Sequence, residues 1–324
     1  MRLTLRQRWK LRESALRSRA IDRAVHGLVR VRQILFDGRP SRGNIEVKRD
    51  IAYGPTDGRD HKLDVYVPTR AARPLPIVMY VHGGGFAMLS KDTHRVMAIA
   101  FARRGYLVFN INYRMGQKNP FPAPLEDAAT ALQWVHRHAV EYGGDPERIA
   151  IAGESAGGNL VAALAIANAS RRPEPFLERM YDANINLRAT ISTYPFADVA
   201  EIDSMLENPR YPQWLKSQLF DAASAYLGSG VFRAADASHL ASPLLVLENG
   251  FAPTRPLTPF FLSVGTRDPL LSQSRRLKAA LDRLGTECEL LVSPGEIHGF
   301  DAMYWRHAAQ QKWSSAHSFL AKHV

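Results

Sequence analysis

The chain has 324 residues, with 42 Lys and Arg against 31 Asp and Glu, a formal net charge of +11. Hydrophobic residues make up 46 % and charged residues 23 %, a balance that excludes a disordered or fibrous chain. A solitary cysteine, Cys288, excludes a disulfide framework and a Cys-rich zinc module. No run of about 18 apolar residues offers a membrane-spanning helix.

The charge is unevenly placed. Residues 1–50 hold 14 Lys/Arg and 5 Asp/Glu, and the other 274 hold 28 and 26. Within the basic segment, Leu16, Ala20, Ala24, Leu28 and Val31 recur at helical spacing. Arg12, Arg19, Arg23 and Arg30 fall between them. We read a cap or surface helix with a solvated basic face. Weak contact with a membrane surface, or with a partner, is the competing reading. Nucleic-acid binding is not expected, since no recognised fold motif accompanies the charge. The segment lacks an uninterrupted apolar h-region and a small-residue cleavage site, so it does not read as a secretory signal. With the solitary thiol, this points to the cytoplasm. A homodimer is compatible with the sequence.

Eight strands are predicted in chain order, at 46–53, 62–67, 77–82, 107–112, 149–153, 189–194, 260–264 and 288–293. Continuous apolar runs such as IVMYV, IAIAG and FFLSV suit strands buried on both faces. The first two alternate more and suit a sheet edge. Helical patterns lie between them. Residues 93–104 end at Gly105, 125–138 follow Pro124, 272–284 end at Gly285, and 302–321 close the chain. This alternation predicts an α/β fold, a mostly parallel sheet covered on both faces. From Phe196 to about Thr258 no core strand appears. Met205, Tyr211, Trp214, Leu219, Phe220, Tyr226, Leu227 and Phe232 stand in a helix-like setting instead. We read residues 196–240 as an inserted helical cap, joined by the N-terminal segment 1–45. Residues 46–195 and 241–324 form the catalytic domain.

The chemistry sits at strand ends. Gly153-Glu154-Ser155-Ala156-Gly157 follows one apolar strand and opens an apolar helix run, 156–169. A tight strand-to-helix turn lifts the central serine above the sheet, and small neighbours leave room for it. His82-Gly83-Gly84-Gly85-Phe86 follows another strand. Its glycines let backbone N–H groups point at developing negative charge, with the Ala156 N–H as partner donor. His82, at the start of this loop, reads as a group that orients it. Asp268 and His298 each follow a further strand, so Ser155, Asp268 and His298 occur in the order expected of an α/β-hydrolase triad. Asp203, Asp221, Asp236 and Asp282 also lie between Ser155 and His298 and read as surface carboxylates. The residues Phe86, Glu154, Tyr194, Tyr211 and Trp214 are candidates for the substrate pocket. His136 and His138 diverge on a helix and no HExxH occurs, so no metal is expected. Ser155 replaces the middle glycine that a dinucleotide-binding turn requires.

On these residues the chain resembles the bacterial hormone-sensitive-lipase family of α/β-hydrolases. HGGGF at 82–86, GESAGGN at 153–159, DPL at 268–270 and IHGF at 297–300 carry the resemblance. It implies an eight-stranded sheet, a cap, and hydrolysis of carboxylic esters with short to medium acyl chains, without a cofactor. Ser155 is then the nucleophile, His298 the base and Asp268 the orienting acid. Gly84, Gly85 and Ala156 supply the oxyanion donors, and Gly83 shapes their loop. The chain departs from the family at Glu154, where Asp is common. It departs again at Met115-Gly116-Gln117, where Leu-Ala-Pro-Glu is usual, and at Leu271-Ser272-Gln273, where Arg-Asp-Glu is usual. Glu296 either tunes His298 or faces solvent. An amidase or arylformamidase-like acyl hydrolase, or a membrane-associated lipase, are the alternatives on the same fold. A non-catalytic binding module is disfavoured because His298 is present.

Overall fold

The computed structural model describes residues 44–116, 118–228 and 240–324. The basic N-terminal segment 1–43, Gln117, Phe232 and Asp236 lie outside the described residues.

Among the described residues, eight strands build one sheet: β1 (Ile45–Ala52), β2 (Lys62–Pro68), β3 (Leu75–Val81), β4 (Leu107–Ile111), β5 (Gly144–Glu154), β6 (Leu187–Thr193), β7 (Phe260–Gly265) and β8 (Cys288–Ser293). Their order is β1-β2-β4-β3-β5-β6-β7-β8. Pairing is antiparallel for β1/β2 and β2/β4 and parallel from β4 onward. The central strands are buried along almost their whole length, as apolar runs covered on both faces must be. β1 alternates at the edge.

Helices α1 (Arg95–Ala102), α2 (Ala123–His138), α3 (Ala156–Ala169), α4 (Pro175–Asp182), α5 (Ile202–Glu207), α6 (Gln213–Leu227), α7 (Pro243–Glu248), α8 (Leu271–Arg283) and α9 (His307–His323) complete the described residues. Alternate residues of β3 divide between two cores. Ile77, Met79 and Val81 pack with α2, α3 and α8. Val78 and Tyr80 pack with α1 and α9. All of α3 is buried, which its run of alanines and small residues allows. Each of its leucines contributes about 1.5–3 kcal/mol by leaving water.

Two boundaries shift by several residues from the sequence reading, and one short helix was not foreseen. β5 begins at Gly144, which pairs with Leu75 before a register shift. The last helix begins at His307, and residues 300–302 form only a single 3₁₀ turn. The short helix α4 carries too few turns to show a period, and its Phe176, Leu177 and Met180 are buried.

Candidate active site

β5 ends at Glu154 and α3 begins at Ala156, so Ser155 alone makes the turn. Its backbone is left-handed, φ 53° and ψ −115°, a conformation that costs a non-glycine residue about 1–3 kcal/mol. The surroundings hold it there. The Ser155 N–H donates to the Thr193 carbonyl at 3.0 Å, and the Ser155 carbonyl accepts from Asn159 N–H at 3.0 Å. A Cβ on Gly153 would stand 2.6 Å from the Gly157 carbonyl, and one on Gly157 would stand 2.1 Å from the Val81 oxygen. Glycine at both places is what lets the turn close.

β7 and β8 deliver the other two side chains from the same end of the sheet. His298 Nε2 lies 3.0 Å from Ser155 Oγ. His298 Nδ1 lies 2.9 Å from Asp268 Oδ2. The Asp268 side chain is fully buried, and its Oδ1 accepts the Leu270 N–H at 2.8 Å. Both carboxylate oxygens are therefore fixed. With Asp268 accepting from Nδ1–H, the lone pair of the neutral ring rests on Nε2, toward the serine. Crowding by protein disfavours the charged imidazole, yet the Asp268 carboxylate outweighs it. The His298 pKa is raised from its ordinary 6.5.

The glycine loop faces this group. The N–H groups of Gly84, Gly85 and Ala156 donate to no backbone carbonyl among the described residues. Ala156 also opens the 14-residue helix α3, whose N-terminal dipole end favours negative charge. His82 is buried with its ring stacked on Tyr113, centroids 4.5 Å apart, and its Nδ1 lies 2.7 Å from the Gly83 carbonyl oxygen. The Tyr113 hydroxyl donates to the His82 carbonyl at 2.9 Å. These contacts tie His82 to the start of the glycine loop.

The pocket candidates separate. Phe86 is fully buried, its ring stacked on Tyr226 of α6 at 3.7 Å, and is a packing residue beneath the loop. Glu154 is buried too. It accepts the Tyr80 hydroxyl and the Gly83 N–H and pairs with His94. A carboxylate held by three donors is scaffold, not pocket wall. Tyr194 is 2 % exposed, gives its hydroxyl to Asp301, and lays its ring 4.6 Å from that of His298. It forms the bed on which the imidazole rests. Tyr211 is half-buried and donates to the Pro269 carbonyl at 3.2 Å, beside Asp268. Trp214 is 64 % exposed on α6. Of the five, only Tyr211 and Trp214 keep appreciable exposed surface.

Among the competing carboxylates, Asp203 and Asp282 are exposed, and Asp282 pairs with Lys278. Asp221 is partly buried on α6 and takes no part in the triad geometry. Glu296 is 5 % exposed and pairs with Arg306 at 2.9 Å, so it ties down the loop that carries His298. Sequence reasoning missed Tyr80, His94, Asp301 and Lys312. Lys312 Nζ meets Asp301 Oδ2 at 2.8 Å, with both side chains buried. No motif marks these residues, and the partners of Tyr80 and His94 at Glu154, and of Asp301 at Tyr194, lie far away in the chain. Among the described residues no group of three or more His, Cys, Asp or Glu could hold a metal ion. No described helix is long and apolar enough to cross a membrane.

Comparisons with known proteins bear on the fold and the family. A family profile described as the alpha/beta hydrolase fold matches residues 78–302. The carboxylesterase NlhH of Mycobacterium tuberculosis is 33 % identical over 245 residues, 74 % of this chain and 71 % of that protein. The carboxylic ester hydrolase LipN of the same organism is 31 % identical over 248 residues, covering 72 % and 61 %. Among solved structures, a bacterial heroin esterase superposes with a TM-score of 0.77 over 93 % of this chain and 90 % of its own. Its identity of 24 % makes this a likeness of fold.

Proposed function

This chain belongs to the hormone-sensitive-lipase-like family of α/β-hydrolases and is a carboxylic ester hydrolase, and we propose that it is a serine carboxylesterase acting on short to medium acyl esters. The observation that carries this reading is the bridging imidazole of His298, 3.0 Å from Ser155 Oγ and 2.9 Å from Asp268 Oδ2.

A serine hydroxyl is too weakly acidic to attack an ester unaided. His298 Nε2 takes its proton as Oγ bonds to the ester carbonyl carbon. The carbonyl oxygen becomes an oxyanion, which the N–H groups of Gly84, Gly85 and Ala156 receive. Each such donor is worth about 10²–10³ in rate. Asp268 stabilises the imidazolium formed meanwhile. The imidazolium then gives its proton to the departing alcohol, leaving an acyl group on Ser155. A water molecule, its proton taken by His298, attacks that acyl group and releases the acid.

In this proposal residues 196–240, with the N-terminal segment 1–45, form a cap. The seat of α6 supports it. A Cβ built on Gly85 would stand 3.1 Å from the Ala222 methyl, so α6 lies directly against the glycine loop. Little height remains there, which favours short to medium acyl groups.

Ser155→Ala tests the reading. It should abolish hydrolysis of p-nitrophenyl acetate and butyrate and labelling by a fluorophosphonate. Retention of most activity defeats the assignment. Turnover of a matched anilide faster than the ester transfers the protein to the amidases.

A further inference from the structure

We propose that His94 and Glu154 form a buried positioning pair that clamps the glycine loop, with His94 carrying a full positive charge in the working enzyme. The proposal rests on the Ser155 reading and adds to it the device that holds the oxyanion donors.

Gly83 immediately precedes the two glycines proposed to bind the oxyanion. Both of its backbone groups are held. Its N–H donates to Glu154 Oε1 at 2.5 Å, and its carbonyl oxygen lies 2.7 Å from His82 Nδ1. Glu154 directly precedes Ser155, so one short segment carries the nucleophile and grips the loop that faces it. The same Oε1 meets His94 Nε2 at 2.8 Å, and Oε2 accepts the Tyr80 hydroxyl.

The hydrogen-bond partners of His94 favour the protonated ring. Its Nε2 faces a carboxylate, which only accepts. Its Nδ1 lies 3.1 Å from the Ser90 carbonyl oxygen, which also only accepts. Thr93 Oγ1 is 2.9 Å from Nδ1, but that hydroxyl gives its own proton to Ser90 O at 2.7 Å. With the Thr93 hydroxyl turned to Ser90 O, both ring nitrogens face acceptors, an arrangement that the doubly protonated ring satisfies. The cation stacks on His82 at 5.5 Å. It thus lies under the loop whose N–H groups face the developing oxyanion.

The groups facing His94 are Glu154 at the end of β5, Tyr80 on β3, and His82 just beyond β3, with Asp301 acting from farther away. Burial disfavours its charge, but Glu154 outweighs burial and the pKa is raised from 6.5. His94 therefore keeps its proton to a higher pH than a free imidazole does. Once it is lost, the Glu154 charge stands uncompensated beneath the oxyanion. The rate must then fall with an alkaline limb that belongs to His94, separate from the acid limb of His298.

The test uses the full chain with p-nitrophenyl butyrate. In His94→Gln we expect kcat to drop about tenfold or more, as for a disturbed oxyanion donor. KM should stay within about threefold, since ground-state binding is untouched. The alkaline limb of kcat should disappear. Glu154→Gln, which keeps the shape and removes the charge, should lower kcat in the same direction. A folded His94→Gln enzyme with kcat within about twofold of wild type, or with the alkaline limb intact, overturns the proposal. Should the variants fail to fold, nitrogen NMR of the wild-type imidazoles decides. Two protonated nitrogens on His94 at pH 7 support the proposal, and a neutral ring overturns it. An inactive Ser155→Ala beside an unaffected His94→Gln refutes this inference alone; an active Ser155→Ala refutes the reading beneath it.

Discussion

Gly116→Ala asks whether the seat of α6 matters to the chemistry. Gly116 donates its N–H to the Phe86 carbonyl at 2.7 Å, joining the loop after β4 to the end of the glycine loop. On its other side lies α6. A Cβ at 116 would stand 2.3 Å from the Ala225 oxygen, 2.8 Å from the Ala225 carbonyl carbon and 3.2 Å from Tyr226 Cα. All three are backbone atoms, so no side chain can swing away. Ordinary contact begins near 3.4 Å. The helix must therefore recede by roughly 1 Å, an overpacking that costs about 1–3 kcal/mol. Recession strains the bond from Phe121 N–H to the Tyr226 carbonyl, 2.7 Å, and the close Phe86–Tyr226 stack. It also draws Ala222 away from Gly85. A displacement of this size near reacting groups costs up to about 10²-fold in rate, and we expect about tenfold in kcat/KM. Urea unfolding and p-nitrophenyl butyrate kinetics read the two effects. Gly58→Ala is the control. Its φ of −63° suits any residue and its nearest neighbour is 3.4 Å away, so it should be neutral or stabilise by about 0.4–1 kcal/mol. Gly116→Ala unfolding within about 0.5 kcal/mol of wild type, with kcat/KM unchanged, would refute the reasoning.

Asp268→Asn should lower kcat about 10⁴-fold, because the amide no longer selects the tautomer with a free Nε2 lone pair. The residual pH profile gives the sign of the coupling. The base must be neutral, so activity rises with pH through the raised pKa of His298. Without the carboxylate, burial dominates and the acid limb should move to lower pH; a limb that stays put contradicts the assignment. Lys312→Met leaves the buried Asp301 charge without its cation and should destabilise the fold by about 3–5 kcal/mol in urea titration. A loss below about 1 kcal/mol would mean that Asp301 is served otherwise. Trp214→Ala should change stability by no more than about 0.5 kcal/mol, since the ring is 64 % exposed. An increase in KM confined to longer acyl chains would place the indole at the pocket mouth.

The sheet was legible because its strands are apolar runs, and a run such as IVMYV needs no partner to be recognised. The proposed triad stands out in the sequence for a related reason. Each member follows such a run, so strand ends and chemistry were read together. What stayed hidden depends on long-range packing. Phe86, Glu154 and Tyr194 stand in or beside motifs and looked like pocket walls. They pack against Tyr226, against Tyr80 and His94, and against Asp301 respectively; Tyr80 is 74 positions from Glu154 and Asp301 is 107 from Tyr194. β5 was shortened at its start because Gly144-Asp145-Pro146 has turn composition, and only its pairing with Leu75 makes it strand. The last helix was lengthened because the apolar residues of 302–306 mimic a helical period.

Two buried carboxylates flank the triad from below, and their surroundings correspond. Glu154 takes the hydroxyl of Tyr80 and the imidazole of His94; Asp301 takes the hydroxyl of Tyr194 and the ammonium of Lys312. Buried ion pairs seldom repay their desolvation against a well-packed apolar replacement, so stability alone is a weak reason for two of them. Their positions give a stronger one. The first pair grips Gly83 and so the glycine loop. The second fixes Tyr194, whose ring supports His298. Burial and the adjacent Asp301 push the Tyr194 hydroxyl well above its ordinary range, so it remains a donor and the ring cannot drift. Apolar substitutes would fill the same volume without fixing a direction. The donors and the base of this reaction must each be aimed to within a fraction of an ångström, and directional contacts supply that aim.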